Sequence, residues 1–119
     1  MGQVVIAIPV DRITDWESFH DVFRQTLGFP DFYGRNMNAW IDCMTYVDSP
    51  VPDGLTTVTV PPGEILVLRI DDPFDFKRRC PELYDALIEC SAFVNFRRTE
   101  MGESPVLALL LNGRHKPRE

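Results

Sequence analysis

Few residues in this chain have the types and spacing that chemistry at a protein site requires. Its cysteines, Cys43, Cys80 and Cys90, are widely separated without a CxxC pair, and its histidines are His20 and His115. A nucleophilic cysteine needs a base within hydrogen-bond reach and a third group that orients the base, and the sequence indicates neither for Cys43 and His20. The phosphate-loop, GxSxG, HExxH and dinucleotide-binding motifs are also absent. We therefore expect no enzymatic activity, no metal site and no cofactor.

The polar groups that could bind a partner lie on one short segment. An aromatic loop leads into a predicted helix that begins after Asn36, a good N-cap residue. Gly34 permits a turn in that loop that other residues resist. Asn38, Asp42 and Thr45 follow at i, i+4 and i+7, so we expect them to project together on one face. The opposite stripe should be buried and consists of Met37, Trp40, Ile41 and Met44.

This segment allows two interpretations. It is either an ordinary surface helix after a turn or a recognition surface. The second is favoured because residues 30–45, PDFYGRNMNAWIDCMT, resemble the signature of the barstar family, intracellular inhibitors of barnase-like secreted ribonucleases. In that family the loop and helix plug the nuclease active site, and the carboxylate that matches Asp42 takes the place of the substrate phosphate. The resemblance implies partner-binding roles for Phe32, Gly34, Asn36, Asn38, Ile41, Asp42 and Thr45, with Asp42 the principal one.

The segment departs from the family pattern at three positions. Barstar has a carboxylate at the position of Asn38, a tryptophan at Ile41 and an acid at Arg35. These differences remove negative charge and an aromatic anchor from the expected contact face. Because charge complementarity discriminates between partners, they indicate a target other than barnase itself.

The charge distribution agrees with a basic protein partner. The net charge is −6, and residues 1–60 hold eight acids against three bases, so the first half is the acidic half. Such a surface disfavours nucleic acid, whose binding relies on Lys and Arg at phosphates. A ribonuclease or ribonuclease-like toxin has a positive substrate groove, and the resemblance implies a one-to-one complex that makes this chain its inhibitor or immunity protein. The alternative is a barstar-like binding module for a non-nuclease protein.

The expected compartment is the cytoplasm. An odd number of scattered cysteines suits a reducing environment, and Cys43 is best read as a small buried hydrophobe. The apolar run 4–8 is too short to cross a membrane, and no signal peptide or lipidation motif is present. We expect no membrane partner.

The pattern of apolar runs predicts an α/β fold. The 119 residues, 45% hydrophobic, suit a single domain over 1–113 with a polar, disordered tail at 114–119. Runs at 3–8, 65–70 and 106–111 are mostly apolar and are predicted as strands, and the first and third have the apolar character of strands buried on both faces. Helical patterns between them imply a small three-stranded parallel sheet with packed helices. Residues 48–63 are predicted as an inserted loop or short edge strand, either a lid over the core or a source of partner contacts.

Local signals place the helix ends. Thr14 and Glu17 predict a capping box for the first helix, and Gly28 predicts its end. His20 within that helix is expected to be solvated or capping. A long helix should follow Pro81, with Arg97 and Arg98 near its end, where they favour the helix dipole. Its exposed Glu89 is a further candidate for a partner contact.

Overall fold

The computed structural model describes residues 2–49 and 53–113, which form an α/β fold. The predicted tail at 114–119 lies outside the described residues. The described residues form three strands, with two helices between each strand and the next: β1 (Gln3–Ala7), α1 (Trp16–Leu27), α2 (Met37–Thr45), β2 (Ile65–Asp71), α3 (Pro73–Arg79), α4 (Pro81–Glu100) and β3 (Leu107–Asn112). A 3₁₀ turn, Val10–Arg12, connects β1 to α1.

The three strands form a parallel sheet in the order β1-β2-β3, so the predicted fold class is confirmed. The register places Val4 and Leu107 on either side of Leu66. Because side chains alternate across a strand, Leu66, Leu68 and Ile70 share one face with these neighbours, and all three are fully buried in the core. The helices cover this face.

The other face of the sheet remains open, which corrects the expectation of burial on both sides. Val5 is 43% exposed and Leu110 is 47% exposed, and both flank β2 on the face that the core does not use. A parallel sheet with helices on one face only leaves its edge strands half in solvent. Continuous apolar character therefore did not mean two-sided burial in β1 and β3.

The first helix begins one residue later than predicted and ends where predicted. Its capping box is formed by Asp15 and Ser18 and not by Thr14 and Glu17: the Ser18 amide donates to Asp15 Oδ1 at 2.8 Å, and the Asp15 amide donates to Ser18 Oγ at 3.0 Å. Gly28 closes the helix in the left-handed region at φ 70°.

The segment 53–64, here called the strap, is a loop across the core without a strand. The amides of Thr57 and Val58 donate to the carbonyls of Gly28 and Leu27, each at 3.1 Å. The strap approaches the end of α1 so closely that a Cβ atom on Gly28 would lie 1.6 Å from Thr57 Oγ1. Val60 is buried, so the described part of the insertion covers the core as a lid. Residues 50–52 of the predicted insertion are not among the described residues.

The core fixes the position of α2 against α1. Trp40 has no exposed surface, and its ring meets that of Phe23 edge to face with centroids 5.6 Å apart. Aromatic pairs in this geometry contribute about 0.5–1.5 kcal/mol beyond their area burial. The exposed face of α2 is thus held on a rigid base.

Candidate functional site

The loop before α2 turns two aromatic side chains inward and one outward. Phe29 and Tyr33 are buried with their rings 4.7 Å apart, and the Tyr33 amide donates to the Pro30 carbonyl at 2.9 Å. Phe32, between them, is 77% exposed. A tightly packed turn therefore holds one large apolar side chain in solvent, where it is available to another protein.

A buried hydrogen bond ties this loop to α1. His20 Nδ1 lies 2.6 Å from the Tyr33 hydroxyl, and the His20 ring stacks against Trp16. Burial lowers the pKa of His20, with a smaller contribution from the nearby Arg35 charge, and burial raises the pKa of Tyr33. At pH 7 both groups are therefore neutral, and the imidazole tautomer decides which of them donates the shared hydrogen bond. The expectation that His20 is solvated or capping is wrong, because the aromatic loop folds over it.

The unusual backbone conformation of the loop is at Arg35 and not at Gly34. Arg35 is left-handed at φ 55°, whereas Gly34 lies outside that region. A left-handed non-glycine residue costs about 1–2 kcal/mol. Arg35 Nη1 donates to Asp21 Oδ1 at 2.9 Å and Nη2 donates to the Glu17 carbonyl at 3.1 Å, so contacts with α1 hold it there.

Asn36 caps α2 as predicted. Its side-chain oxygen accepts from the Ala39 amide at 2.8 Å, and its side-chain nitrogen donates to the Gly34 carbonyl at 3.3 Å. Both ends of the amide are thus engaged within the segment. Asn36 and Gly34 are themselves exposed, and their partner-binding roles stay predictions.

The exposed face of α2 is narrower than predicted. Asn38 and Asp42 lie one turn apart and are exposed, but Thr45 has no accessible surface. Its hydroxyl donates to the Ile41 carbonyl at 2.6 Å. The prediction that Thr45 projects beside the other two is therefore wrong, because α4 packs over the last turn. Ile41 is also buried, as its place in the apolar stripe predicts, and neither residue offers a side chain to a partner in this conformation.

Asp42 is paired within the protein. Arg97 Nη1 on α4 donates to Asp42 Oδ1 at 2.6 Å, and the two side chains are 34% and 54% exposed, respectively. The hydrogen bond to Asp42 raises the pKa of Arg97, and Tyr46 adds to this effect. The principal candidate residue thus presents a carboxylate with one oxygen already bound to a guanidinium.

Arg98, the next residue along α4, is buried and anchors the end of α2. Nη1 and Nη2 donate to the two Asp48 oxygens, and Nη1 also donates to the Thr45 carbonyl at 2.7 Å. Nε donates to the Ser104 carbonyl at 2.6 Å. Arg98 lies in the last turn of α4, as expected, and its guanidinium also binds a carbonyl at the carboxyl end of a neighbouring helix.

The sequence reasoning missed both arginine contacts. Neighbouring residues on a helix point about 100° apart, so the pair Arg97-Arg98 must send one guanidinium toward a different surface from the other. The sequence therefore indicates that the two arginines have different partners. It does not indicate which residues those partners are, because Asp42 and Asp48 lie about fifty positions earlier in the chain. Glu89 is exposed on α4, and its role stays a prediction.

Among the described residues, Cys43 and His20 are not arranged as a nucleophile and its base, and no cluster of metal ligands is present. Cys43 is buried, as expected of a small hydrophobe, and burial raises its pKa to about 11. His20 Nδ1 is occupied by Tyr33. Across residues 2–49 and 53–113 no cluster of side chains is suited to hold a metal ion.

A cleft of about 1040 Å³ lies elsewhere, at the carboxyl ends of the strands. Its lining includes Asp11, Asp72, Phe74 and Asn112, with no residue of the aromatic loop or α2. The candidate site therefore lies outside this cleft. Within the described ranges, none of the helices has the length and apolar character needed to cross a membrane.

An exposed aromatic ring and an exposed carboxylate on a rigid support are features typical of a surface that binds another protein. Comparison with known proteins specifies the class: the model of the family described as Barstar (barnase inhibitor) matches residues 3–107. The chain belongs to the barstar family, whose members are non-enzymatic inhibitors.

One relative is similar over a shorter segment. The chain is 50% identical over 36 residues to a Bacillus subtilis (strain 168) protein named "Putative ribonuclease inhibitor YrdF". This match covers 29% of the chain and 40% of the relative's length.

Proposed function

We propose that this protein is a cytoplasmic inhibitor, or immunity protein, of a basic ribonuclease or ribonuclease-like toxin, and that it blocks the nuclease active site with residues 32–45 in a one-to-one complex. Family membership supports the class of target. The observation that carries the mechanism is the exposure of Asp42 on a rigid helix, one loop away from the exposed ring of Phe32.

The physical basis is charge complementarity. A ribonuclease groove must be positive to hold RNA, and an acidic protein with complementary fields can associate with it about tenfold to a thousandfold faster at low salt. A carboxylate bound among the cations that normally hold a phosphate occupies the substrate's place. The Phe32 ring adds apolar contact area at low entropy cost.

A barstar-like module for a non-nuclease protein is the second candidate. Asn38 is neutral, Ile41 is buried, and Asp42 is paired with Arg97, so this face carries less free negative charge than the family pattern implies. An interface of this kind would depend on Phe32 more than on Asp42.

The test is a ribonuclease inhibition titration with basic nucleases secreted by bacteria. We expect RNA cleavage to fall to zero at one equivalent of the protein, and Asp42→Ala to shift the curve strongly. Asp31→Ala is the control, because Asp31 is a fully exposed carboxylate in the loop before α2 and lies outside residues 32–45. Failure to inhibit any basic nuclease, together with equal capture of a non-nuclease protein by wild type and Asp42→Ala, would support the second candidate.

A further inference from the structure

The Asp42–Arg97 pair changes what a partner meets on α2. One carboxylate oxygen accepts from the guanidinium at 2.6 Å, and Asn38, one turn away on the same exposed face, is neutral. Beyond the Debye length of about 8 Å at physiological salt, a carboxylate in contact with a guanidinium has little net field. The face therefore presents a charge pair and not an isolated anion.

Binding to a cleft crowded with cations carries a cost in this arrangement. Either the partner's cations displace Arg97 from Asp42, or Arg97 stays beside them. Displacement loses an ion pair, which is weak because both side chains are partly exposed. Retention places like charges together, which interfaces strongly disfavour. A partner whose cleft has fewer cations, or has an acid beside them, avoids both costs.

We propose that Arg97 is a specificity-determining residue, which pairs with Asp42 and thereby disfavours ribonucleases with strongly cationic active sites. The inference rests on the proposed function and names the charge pattern of the target. Arg97 acts through Asp42 and is not itself the group that replaces the phosphate.

The test measures the affinity and salt dependence of binding to purified barnase by wild type and Arg97→Gln. Breaking one exposed ion pair changes a dissociation constant by a factor of up to about five. Because Arg97→Gln has no such pair to break, we expect it to bind barnase about fivefold more tightly than the wild type does. We also expect a steeper decrease of the association rate with salt, because the freed carboxylate attracts cations over a longer range. Arg97→Lys keeps the charge and should behave as wild type.

Two further variants separate the pair from overall charge. Arg78→Gln removes one positive charge from an exposed pair with Asp75 on α3. Arg78 lies just before the start of α4, and Arg97 lies about 24 Å along that helix from its start, at 1.5 Å per residue. This distance exceeds the Debye length, so the Arg78→Gln control should leave barnase binding unchanged. The double variant Asp42→Asn/Arg97→Gln should bind no more tightly than Asp42→Asn alone.

Three results would overturn the inference: a change below about twofold in Arg97→Gln, a gain that persists in the Asp42→Asn background, or no binding of barnase by either wild type or Arg97→Gln. None of them decides the proposed function, which is tested with other basic nucleases and with Asp42→Ala. If the protein inhibits another basic nuclease but Arg97→Gln binds barnase with the wild-type affinity, only the role of Arg97 is rejected and the proposed function stands.

Discussion

Arg98 and Asp48 form a bidentate ion pair, in which Arg98 Nη1 lies 3.0 Å from Asp48 Oδ1 and Arg98 Nη2 lies 2.8 Å from Asp48 Oδ2. Their side chains are 5% and 16% exposed. The same guanidinium binds the Thr45 carbonyl at the end of α2 and the Ser104 carbonyl before β3. One buried side chain therefore fixes the end of α2, the chain just after it and the segment before β3 relative to α4.

Replacing Arg98 should destabilise the fold. Arg98→Met leaves Asp48 as a largely buried charge without its partner, and breaking a buried pair typically costs about 3–5 kcal/mol. The free energy of unfolding, measured by urea denaturation, checks this. Arg78→Met, which breaks an exposed pair with Asp75, should cost at most about 1 kcal/mol. Equal losses in the two variants would contradict a special role for the buried pair.

Replacing Asp42 should weaken the complex without unfolding the protein. Asp42→Ala removes the carboxylate proposed to occupy the phosphate position, so we expect the inhibited ribonuclease to bind more weakly by at least about 2 kcal/mol, the usual threshold of an interface hot spot. Calorimetric titration measures the loss. Asp31→Ala removes a fully exposed carboxylate that pairs with Arg24, and it should leave the affinity within about 0.5 kcal/mol. Unchanged affinity in folded Asp42→Ala would exclude this residue from the mechanism.

The exposed ring of Phe32 should contribute to the affinity of the complex and not to the stability of the free protein. Phe32→Ala is expected to lower affinity by more than about 1 kcal/mol, because a preorganised aromatic contact is lost. Phe74 is 73% exposed on α3 and provides a matched control. Both variants should unfold at nearly the wild-type urea concentration, since neither ring is buried. Similar affinities for the two variants would argue against a contact at Phe32.

The buried His20 should make stability depend on pH. Its pKa in the folded protein is below the ordinary value of 6.5, so the unfolded chain takes up the proton first as pH falls. This contribution is fully present above about pH 6.5 and is lost as pH decreases through the folded-state pKa. Urea unfolding at about pH 7.5 and 5.5 measures the change, and most carboxyl groups titrate below that window. His20→Gln does not titrate and should remove most of the loss; an unaltered pH profile would contradict this cause.

The sequence by itself determined the parts of the fold that depend on local patterns. Three apolar runs gave the strands and their parallel arrangement, because each is separated from the next by helical periodicity. Asn36 and Gly28 marked helix ends, since capping and the left-handed conformation are properties of single residues. The recognition segment was visible for the same reason, as a contiguous motif.

Only the tertiary structure decided which polar groups are free. The burial of Thr45, the enclosure of His20 and the pairing of Asp42 with Arg97 all arise where one element packs on another. These contacts join positions that are distant in the chain, and periodicity specifies a face without specifying what covers it. Whether a side chain predicted to meet a partner is exposed, buried or already paired is therefore settled by packing.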